Sequence, residues 1–138
     1  MKRTAQAQWF GNLKEGKGDI TTQSGILNHT NYSFKTRFTG EETGTNPEEL
    51  LAAAHAGCFT MAVSAALTEK GLTPQSLHTE AIVQMEGLSI TTVHLHITGQ
   101  VEGLSADDFG SITKIAEKNC LISKVLSIPI SSEAHLLA

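Results

Sequence analysis

A long stretch of small and apolar residues constrains the fold of this chain more than any other feature. It has the sequence NPEELLAAAHAGCFTMAVSAAL and covers residues 46–67. Asn46 is a favourable N-cap, Pro47 a favourable first helical residue, and Glu49 lies at the position from which a carboxylate reaches back to the cap. Because the helix that follows is apolar nearly all round, it must be covered on more than one side. The sequence therefore predicts a homodimer with this helix at the subunit junction.

The other elements are predicted from hydrophobic periodicity and turn residues. A glycine- and lysine-rich loop is expected at 11–19, and strands are expected at 4–10, 20–28, 32–38, 77–85, 90–101 and 127–134. The order βββ-α-ββ-α-β groups the strands instead of alternating them with helices. This grouping predicts an α+β fold with antiparallel sheets, formed as a single domain of residues 1–138.

The second helix is predicted to begin at Ser105, with Asp108 as the capping partner. Asn119 is expected to adopt a left-handed cap conformation at its end, followed by one further helical turn at 121–126. The buried stripe of this helix is predicted to comprise Phe109, Ile112 and Ala116.

Composition excludes several classes of function. The net charge is −4, and the ten basic residues are scattered, so nucleic acid is not an expected partner. Residues 50–67 are long enough to span a membrane, but their polar positions and leading glutamates favour a buried helix of a cytoplasmic protein, with no membrane partner. In that compartment the two cysteines are expected to be reduced, and to be catalytic or metal-binding.

Cys58 lies about three turns into the first helix, beyond the reach of the helix dipole. An unperturbed thiol is only a few per cent thiolate at neutral pH, so a reactive Cys58 needs a nearby cation. The alternative is that Cys58 is an inert buried residue, as free cysteines commonly are.

Two other arrangements of these residues are possible. His55 shares a helix face with Cys58, which would allow the Cys–His nucleophile pair of a hydrolase. A metal site formed by His55, Cys58 and Cys120 lacks the closely spaced ligands of known metal motifs, so no metal is expected. His94 and His96 are explained by a solvated strand face.

Four motifs together resemble one family. They are EGKGD at 15–19, TRF at 36–38, GTNPEELLAAAHAGCF at 44–59 and NCLISKVL at 119–126. The chain resembles the osmotically inducible protein C (OsmC) family, which belongs with the organic hydroperoxide resistance (Ohr) proteins, and it is more similar to the OsmC branch.

The resemblance implies an intertwined homodimer that acts as a two-cysteine thiol peroxidase on organic hydroperoxides, without a cofactor. It implies that Cys58 is the peroxidatic cysteine, Cys120 the resolving cysteine, Arg37 the activating cation and Glu48 the acid that orients it. A dithiol, such as a dihydrolipoyl protein, is the implied reductant. The family often has Gly before and Pro after the second cysteine, where this chain has Asn119 and Leu121.

Helix geometry bears on where Glu48 can act. The helical rise between Glu48 and Cys58 is about 15 Å, so Glu48 cannot serve the cysteine of its own helix directly. Each site is therefore expected to draw on both subunits. The alternatives to the peroxidase are a non-catalytic dimeric binding protein for an apolar small molecule and the Cys–His hydrolase.

Overall fold

A computed structural model describes residues 1–137. The chain falls into two compact units that divide after Leu50. The first contains an antiparallel sheet in the order β1-β2-β3, formed by Ala5–Phe10, Lys17–Thr22 and Thr30–Tyr32. Three antiparallel strands before the first helix were predicted and are present, but the third lies earlier in the chain than the segment expected at 32–38.

The expected loop at 11–19 is wrong at its end, because β2 already begins at Lys17. Gly18 explains the error. A Cβ atom at this position would lie 2.5 Å from the Tyr32 ring and 2.6 Å from the Trp9 ring, so only glycine fits beneath the two aromatic side chains. Gly18 suggests a loop in the sequence, but in the structure it is a strand residue that the packing of two aromatic rings requires. The predicted strand at 20–28 is also too long, since β2 ends at Thr22.

The predicted strand at 32–38 is wrong. Strand β3 ends at Tyr32, and Lys35–Thr39 forms a short π-helical turn. Ser33 and Thr36 cause the change of direction, because the Thr36 amide donates to Ser33 Oγ and the Ser33 amide donates to Thr36 Oγ1. Such reciprocal bonds give the backbone an alternative to a strand ladder.

Helix α1 spans Pro47–Glu69, as predicted. Asn46 caps it, since its side-chain oxygen accepts from the Glu49 amide at 2.7 Å. The Glu49 carboxylate differs from expectation: it accepts from the Thr45 hydroxyl at 3.0 Å. The helix is followed by Gly71, whose φ of 75° is the left-handed conformation that glycine adopts most easily.

The second unit contains a sheet in the order β4-β5-β6 and two further helices. The strands are Ser76–Glu86, Ser89–Gln100 and Ile130–Leu136, and the helices are α2, Ala106–Asn119, and α3, Leu121–Val125. The α+β class is confirmed, and strands β4 and β5 are antiparallel as predicted, but β6 lies parallel to β5, where an antiparallel sheet was expected. The reason is the connection: α2 and α3 carry the chain back across the sheet, and such a crossover joins parallel strands.

Helix α2 begins as predicted, with Ser105 Oγ accepting from the Asp108 amide at 3.1 Å. The expected left-handed cap at Asn119 is wrong, because Asn119 is still helical and the break occurs at Cys120, with φ −56° and ψ 128°. Cys120 is therefore both the end of α2 and the residue before α3. This places its side chain at a fixed corner of the backbone.

The core of the second unit is formed by α1, β5 and α2. Its fully buried members include Phe59, Val63, Leu67, Val93, Leu95, Ile97 and Phe109. Ile112 and Ala116 are buried on α2, as predicted, and Cys120 is buried directly after this helix. Gly99 permits close packing, because a Cβ there would lie 2.6 Å from the Phe109 ring.

Helix α1 buries one stripe and exposes the opposite one. Its buried positions in the second unit are His55, Phe59, Val63 and Leu67, and its exposed positions include Ala54, Gly57, Met61 and Ala65. Of the helices formed by residues 1–137, this is the one that is long and apolar enough to cross a membrane. Its buried stripe packs within a protein core, which fits a core helix better.

Ser105→Ala should lower the free energy of unfolding by about 1 kcal/mol, because it removes the N-cap of α2. Ser111→Ala is the matched control. Ser111 is exposed within the same helix, where alanine is the better helix former, so this change should be neutral or slightly stabilising. Chemical denaturation of both variants measures the difference, and equal stability of the two would contradict the assigned cap.

Candidate active site

The second unit brings its two cysteines together. Cys58 comes from the middle of α1 and Cys120 from the corner between α2 and α3, and the two come within 3.1 Å of each other. Both are free thiols. Their sequence separation gives no indication of this contact, which depends on α1 packing against the α2–α3 corner. The pair can therefore form a disulfide after only a small movement.

The environment of Cys58 favours its thiolate. Burial raises its pKa, but hydrogen bonds from the backbone of Ile122, from the Cys120 thiol and from the backbone of Leu121 together lower the pKa below its ordinary value. Leu121 and Ile122 are the first residues of α3, where amide groups have no acceptor within the helix. Amide donors from a neighbouring helix thus contribute to the stabilisation of the Cys58 thiolate, for which the sequence had suggested a cation.

Cys120 has the opposite character. Burial raises its pKa, and its hydrogen bond to Cys58 raises it further, while hydrogen bonds from the Ser123 backbone and hydroxyl oppose the shift. Cys120 is 1% exposed, whereas Cys58 is partly accessible. At neutral pH, Cys58 is consequently the better nucleophile, whereas Cys120 is the thiol that more readily stays protonated.

His55 is not paired with Cys58 as a hydrolase would need. The His55 side chain is fully buried, and its Nε2 lies 2.8 Å from Ser123 Oγ. Burial lowers its pKa, and the negative charge of Glu117 partly opposes this shift. Its Nδ1 has no hydrogen-bond partner within residues 1–137.

The first unit pairs the two other predicted site residues. Arg37 Nη2 lies 2.7 Å, and Nε 2.9 Å, from the same oxygen, Oε1 of Glu48. The other carboxylate oxygen of Glu48 is buried and without a partner in the described part of the chain. The Arg37 side chain remains 42% exposed, whereas that of Glu48 is 10% exposed. Glu48 thus fixes the guanidinium while leaving part of it free to bind an anion or a polar ligand.

An aromatic pocket of about 270 Å³ adjoins this ion pair within the first unit. Its lining consists of Trp9, Leu13, Tyr32, Ser33, Phe34, Arg37 and Phe38. The guanidinium carbon of Arg37 lies 5.2 Å from the centre of the Phe38 ring. The pocket combines an apolar wall with one cationic group, which suits a molecule with an apolar body and a polar end.

The two histidines of strand β5, His94 and His96, have other surroundings. His94 lies 2.7 Å from Ser131 Oγ and 3.2 Å from Glu133, and His96 lies 3.9 Å from Glu133. Both side chains are more than one-third exposed, as expected for a solvated strand face. No group of three potential metal ligands occurs among the residues that the structure describes.

Three residues of this site escaped the sequence-based prediction. Ser123 and the amides of Leu121 and Ile122 contact the cysteines, but nothing in their local pattern distinguishes them from an ordinary helical turn. A backbone amide is the same donor in every residue except proline, so the residue type does not indicate its role. Only the docking of α3 beside Cys58 reveals them.

Comparison with known proteins agrees with the resemblance seen in the sequence. The family model described as OsmC-like protein matches residues 40–133. The chain is 44% identical over 138 residues to Peroxiredoxin OsmC of Escherichia coli, with 97% of this chain and 96% of the relative covered.

Two solved structures have a similar fold. The organic hydroperoxide resistance protein OhrB of Bacillus subtilis superimposes with a TM-score of 0.66 at 21% identity, covering 97% of this chain and 98% of the other. An OsmC-like protein of unknown function from Vibrio cholerae gives a TM-score of 0.74 at 16% identity, covering 97% and 99%.

Iodoacetamide should alkylate Cys58 at a lower pH than a free cysteine, because its lowered pKa gives more thiolate. Cys120→Ala removes one donor to the Cys58 sulfur and should move the pH midpoint of Cys58 alkylation upwards. Mass spectrometry of the modified peptide at several pH values measures both midpoints. An unchanged midpoint in Cys120→Ala would contradict the hydrogen bond between the thiols.

Proposed function

The chain belongs to the OsmC-like protein family, and from this premise we propose that it is a thiol-dependent peroxidase that reduces organic hydroperoxides to alcohols. The observation that carries the proposal is the cysteine pair. Cys58 has a lowered pKa and is partly accessible, and a second thiol, Cys120, lies within 3.1 Å of it. An inert binding protein would have no need of two adjacent thiols whose pKa values are shifted in opposite directions.

The proposed reaction has two steps before reduction. The Cys58 thiolate attacks the terminal oxygen of ROOH, the O–O bond breaks, and the alkoxide leaves as ROH after taking a proton. Cys58 is oxidised to the sulfenic acid. The Cys120 sulfur then attacks the Cys58 sulfur, so that the S–S bond forms, the S–O bond breaks and water leaves. An external dithiol restores both thiols by exchange and becomes a disulfide itself.

Arg37 and Glu48 are proposed to assist the first step. The guanidinium would hold the peroxide and stabilise the developing alkoxide, since charge-assisted donors are most effective where negative charge develops. Glu48 would keep it in position through the contact at 2.7 Å. The aromatic pocket beside Arg37 would take the apolar part of the hydroperoxide and so favour organic over inorganic peroxides.

A homodimer is proposed to complete the site. The exposed stripe of α1 consists of small and apolar residues, and Met61 within it is 76% exposed. Such a stripe allows two helices to pack closely, and it is costly to leave in water. With two α1 helices antiparallel across a dimer axis, Arg37 and Glu48 of one subunit would approach Cys58 of the other. We further propose a cytoplasmic location, where a dithiol such as a dihydrolipoyl protein could serve as reductant.

Reduced protein mixed with excess cumene hydroperoxide should lose both free thiols, because Cys58 and Cys120 form a disulfide. Cys58→Ser should abolish peroxide consumption. Cys120→Ser should still consume peroxide but leave Cys58 as a sulfenate that becomes overoxidised. Thiol titration and intact-mass measurement follow all three proteins. Thiols that survive in the wild type under excess hydroperoxide would instead favour the non-catalytic binding protein.

Arg37→Gln should slow peroxide reduction at least about 100-fold, the usual cost of removing a donor to a developing oxyanion. Arg3→Gln is the matched control, because Arg3 is exposed and, within residues 1–137, its side chain bonds only the neighbouring carbonyl of Lys2. Glu48→Gln should give a smaller loss. Stopped-flow measurement of the first step supplies the rates, and equal rates for the two arginine variants would contradict the assignment.

Coexpression of Arg37→Gln with Cys58→Ser tests whether the site is shared between subunits. A mixed dimer keeps one intact site if Arg37 and Cys58 come from different subunits, so activity should recover to about a quarter of the wild-type value in a statistical mixture. No recovery would mean that both residues act within one chain.

A further inference from the structure

His55 is a buried titratable group that the proposed reaction does not yet use. It is fully buried, and its Nε2 lies 2.8 Å from the hydroxyl of Ser123. A buried histidine retained only for packing would be expected to satisfy both ring nitrogens, but its Nδ1 has no partner among residues 1–137. The ring is thus held by a single hydrogen bond, and that bond leads to Ser123.

Ser123 connects this ring to the cysteine pair. It lies in the first turn of α3, and both its backbone and its hydroxyl are hydrogen-bonded to the Cys120 sulfur. A continuous chain of contacts therefore runs from Cys58 through Cys120 and Ser123 to His55, all within the second unit. At rest this hydroxyl donates to the Cys120 sulfur. After rotation about its C–O bond it can accept the Cys120 proton while it donates its own proton to His55.

The second step of the reaction needs a route by which a proton can leave Cys120. Cys120 must lose its proton to attack the sulfenic acid, because the thiolate is the nucleophile. Its burial raises its pKa and also limits access by solvent bases. A proton acceptor within the protein would remove this obstacle.

We propose that Ser123 and His55 form a proton relay that deprotonates Cys120 during disulfide formation. The inference rests on the proposed peroxidase function. As the Cys120 sulfur attacks Cys58, its proton moves to Ser123 Oγ and the hydroxyl proton of Ser123 moves to His55 Nε2. The S–S bond forms, and the S–O bond of the sulfenic acid breaks. The departing hydroxide becomes water by taking up one proton, either directly from the imidazolium or from solvent, which then receives the imidazolium proton.

The surroundings of His55 suit a transient proton acceptor. Burial lowers its pKa, so the ring is neutral at rest and its lone pair is available. The charge of Glu117 on α2 acts in the opposite direction and would stabilise the imidazolium once it forms. Glu117 is held by Ser132 and Lys114, whose Nζ lies 3.3 Å from Oε2. His55 can therefore accept a proton during the reaction and release it afterwards.

Single-turnover kinetics can separate the relay from the peroxidase reaction itself. Reduced protein is mixed with one equivalent of cumene hydroperoxide, peroxide loss and disulfide formation are timed separately, and sulfenate is trapped with dimedone. Ser123→Ala and His55→Gln should consume peroxide at the wild-type rate but form the disulfide about 100-fold more slowly, as expected when an acid–base group is lost. Ser123→Thr, which keeps the hydroxyl, should retain the wild-type rate.

A second histidine–serine pair provides the control. His94 and Ser131 lie 2.7 Å apart on the exposed strand face, so His94→Gln and Ser131→Ala should leave both steps unchanged. Raising the pH should restore disulfide formation in Ser123→Ala and His55→Gln, because hydroxide then removes the Cys120 proton. A purely structural defect would not recover in this way.

The outcomes distinguish the two proposals. If the wild type does not consume hydroperoxide, the proposed function fails and the relay fails with it. If the wild type forms its disulfide and Ser123→Ala does so equally fast at neutral pH, only the relay is refuted. Should His55→Gln be unfolded by circular dichroism, Ser123→Ala decides the question, since Ser123 is not part of the fully buried core.

Discussion

The packing of Cys120 against helix α1 is the contact on which the chemistry of this protein depends. Cys120 is buried at the corner where α2 ends and α3 begins, and that corner lies on the side of α1 that carries Cys58. Because the core residues of α1, β5 and α2 are fully buried, the corner has little freedom to move. The hydrophobic core thus sets the distance between two thiols that are far apart in sequence.

The same corner makes two chemically identical residues behave differently. The first amides of α3 point towards Cys58 and favour its charged form, while burial keeps Cys120 protonated. Among residues 1–137, each unit holds one buried polar atom without a partner: one oxygen of Glu48 in the first unit and one nitrogen of His55 in the second. Since such groups cost free energy when buried, their presence at these positions fits residues retained for chemistry more than for stability.

Much of the fold could be predicted because the relevant information is local. The caps at Asn46 and Ser105 and the buried stripe of α2 follow from residue types at fixed spacings, and the structure confirms them. The strand expected at 32–38 failed for a local reason, the reciprocal bonds between Ser33 and Thr36. Two other errors arose where a distant partner overrides a local pattern. Gly18 suggests a loop until Trp9 and Tyr32 are seen above it, and β6 is parallel to β5 only because two helices intervene.

By itself, the sequence determined the family, the order of elements and the residues capable of redox chemistry. These follow from motifs and periodicities that are written along the chain. The tertiary structure alone decided which thiol is favoured as thiolate, what lowers its pKa, and that His55 contacts Ser123 instead of Cys58. The physical reason is that a pKa and a hydrogen bond depend on burial and on donors brought in by other elements, and backbone amides in particular have no signature in the sequence.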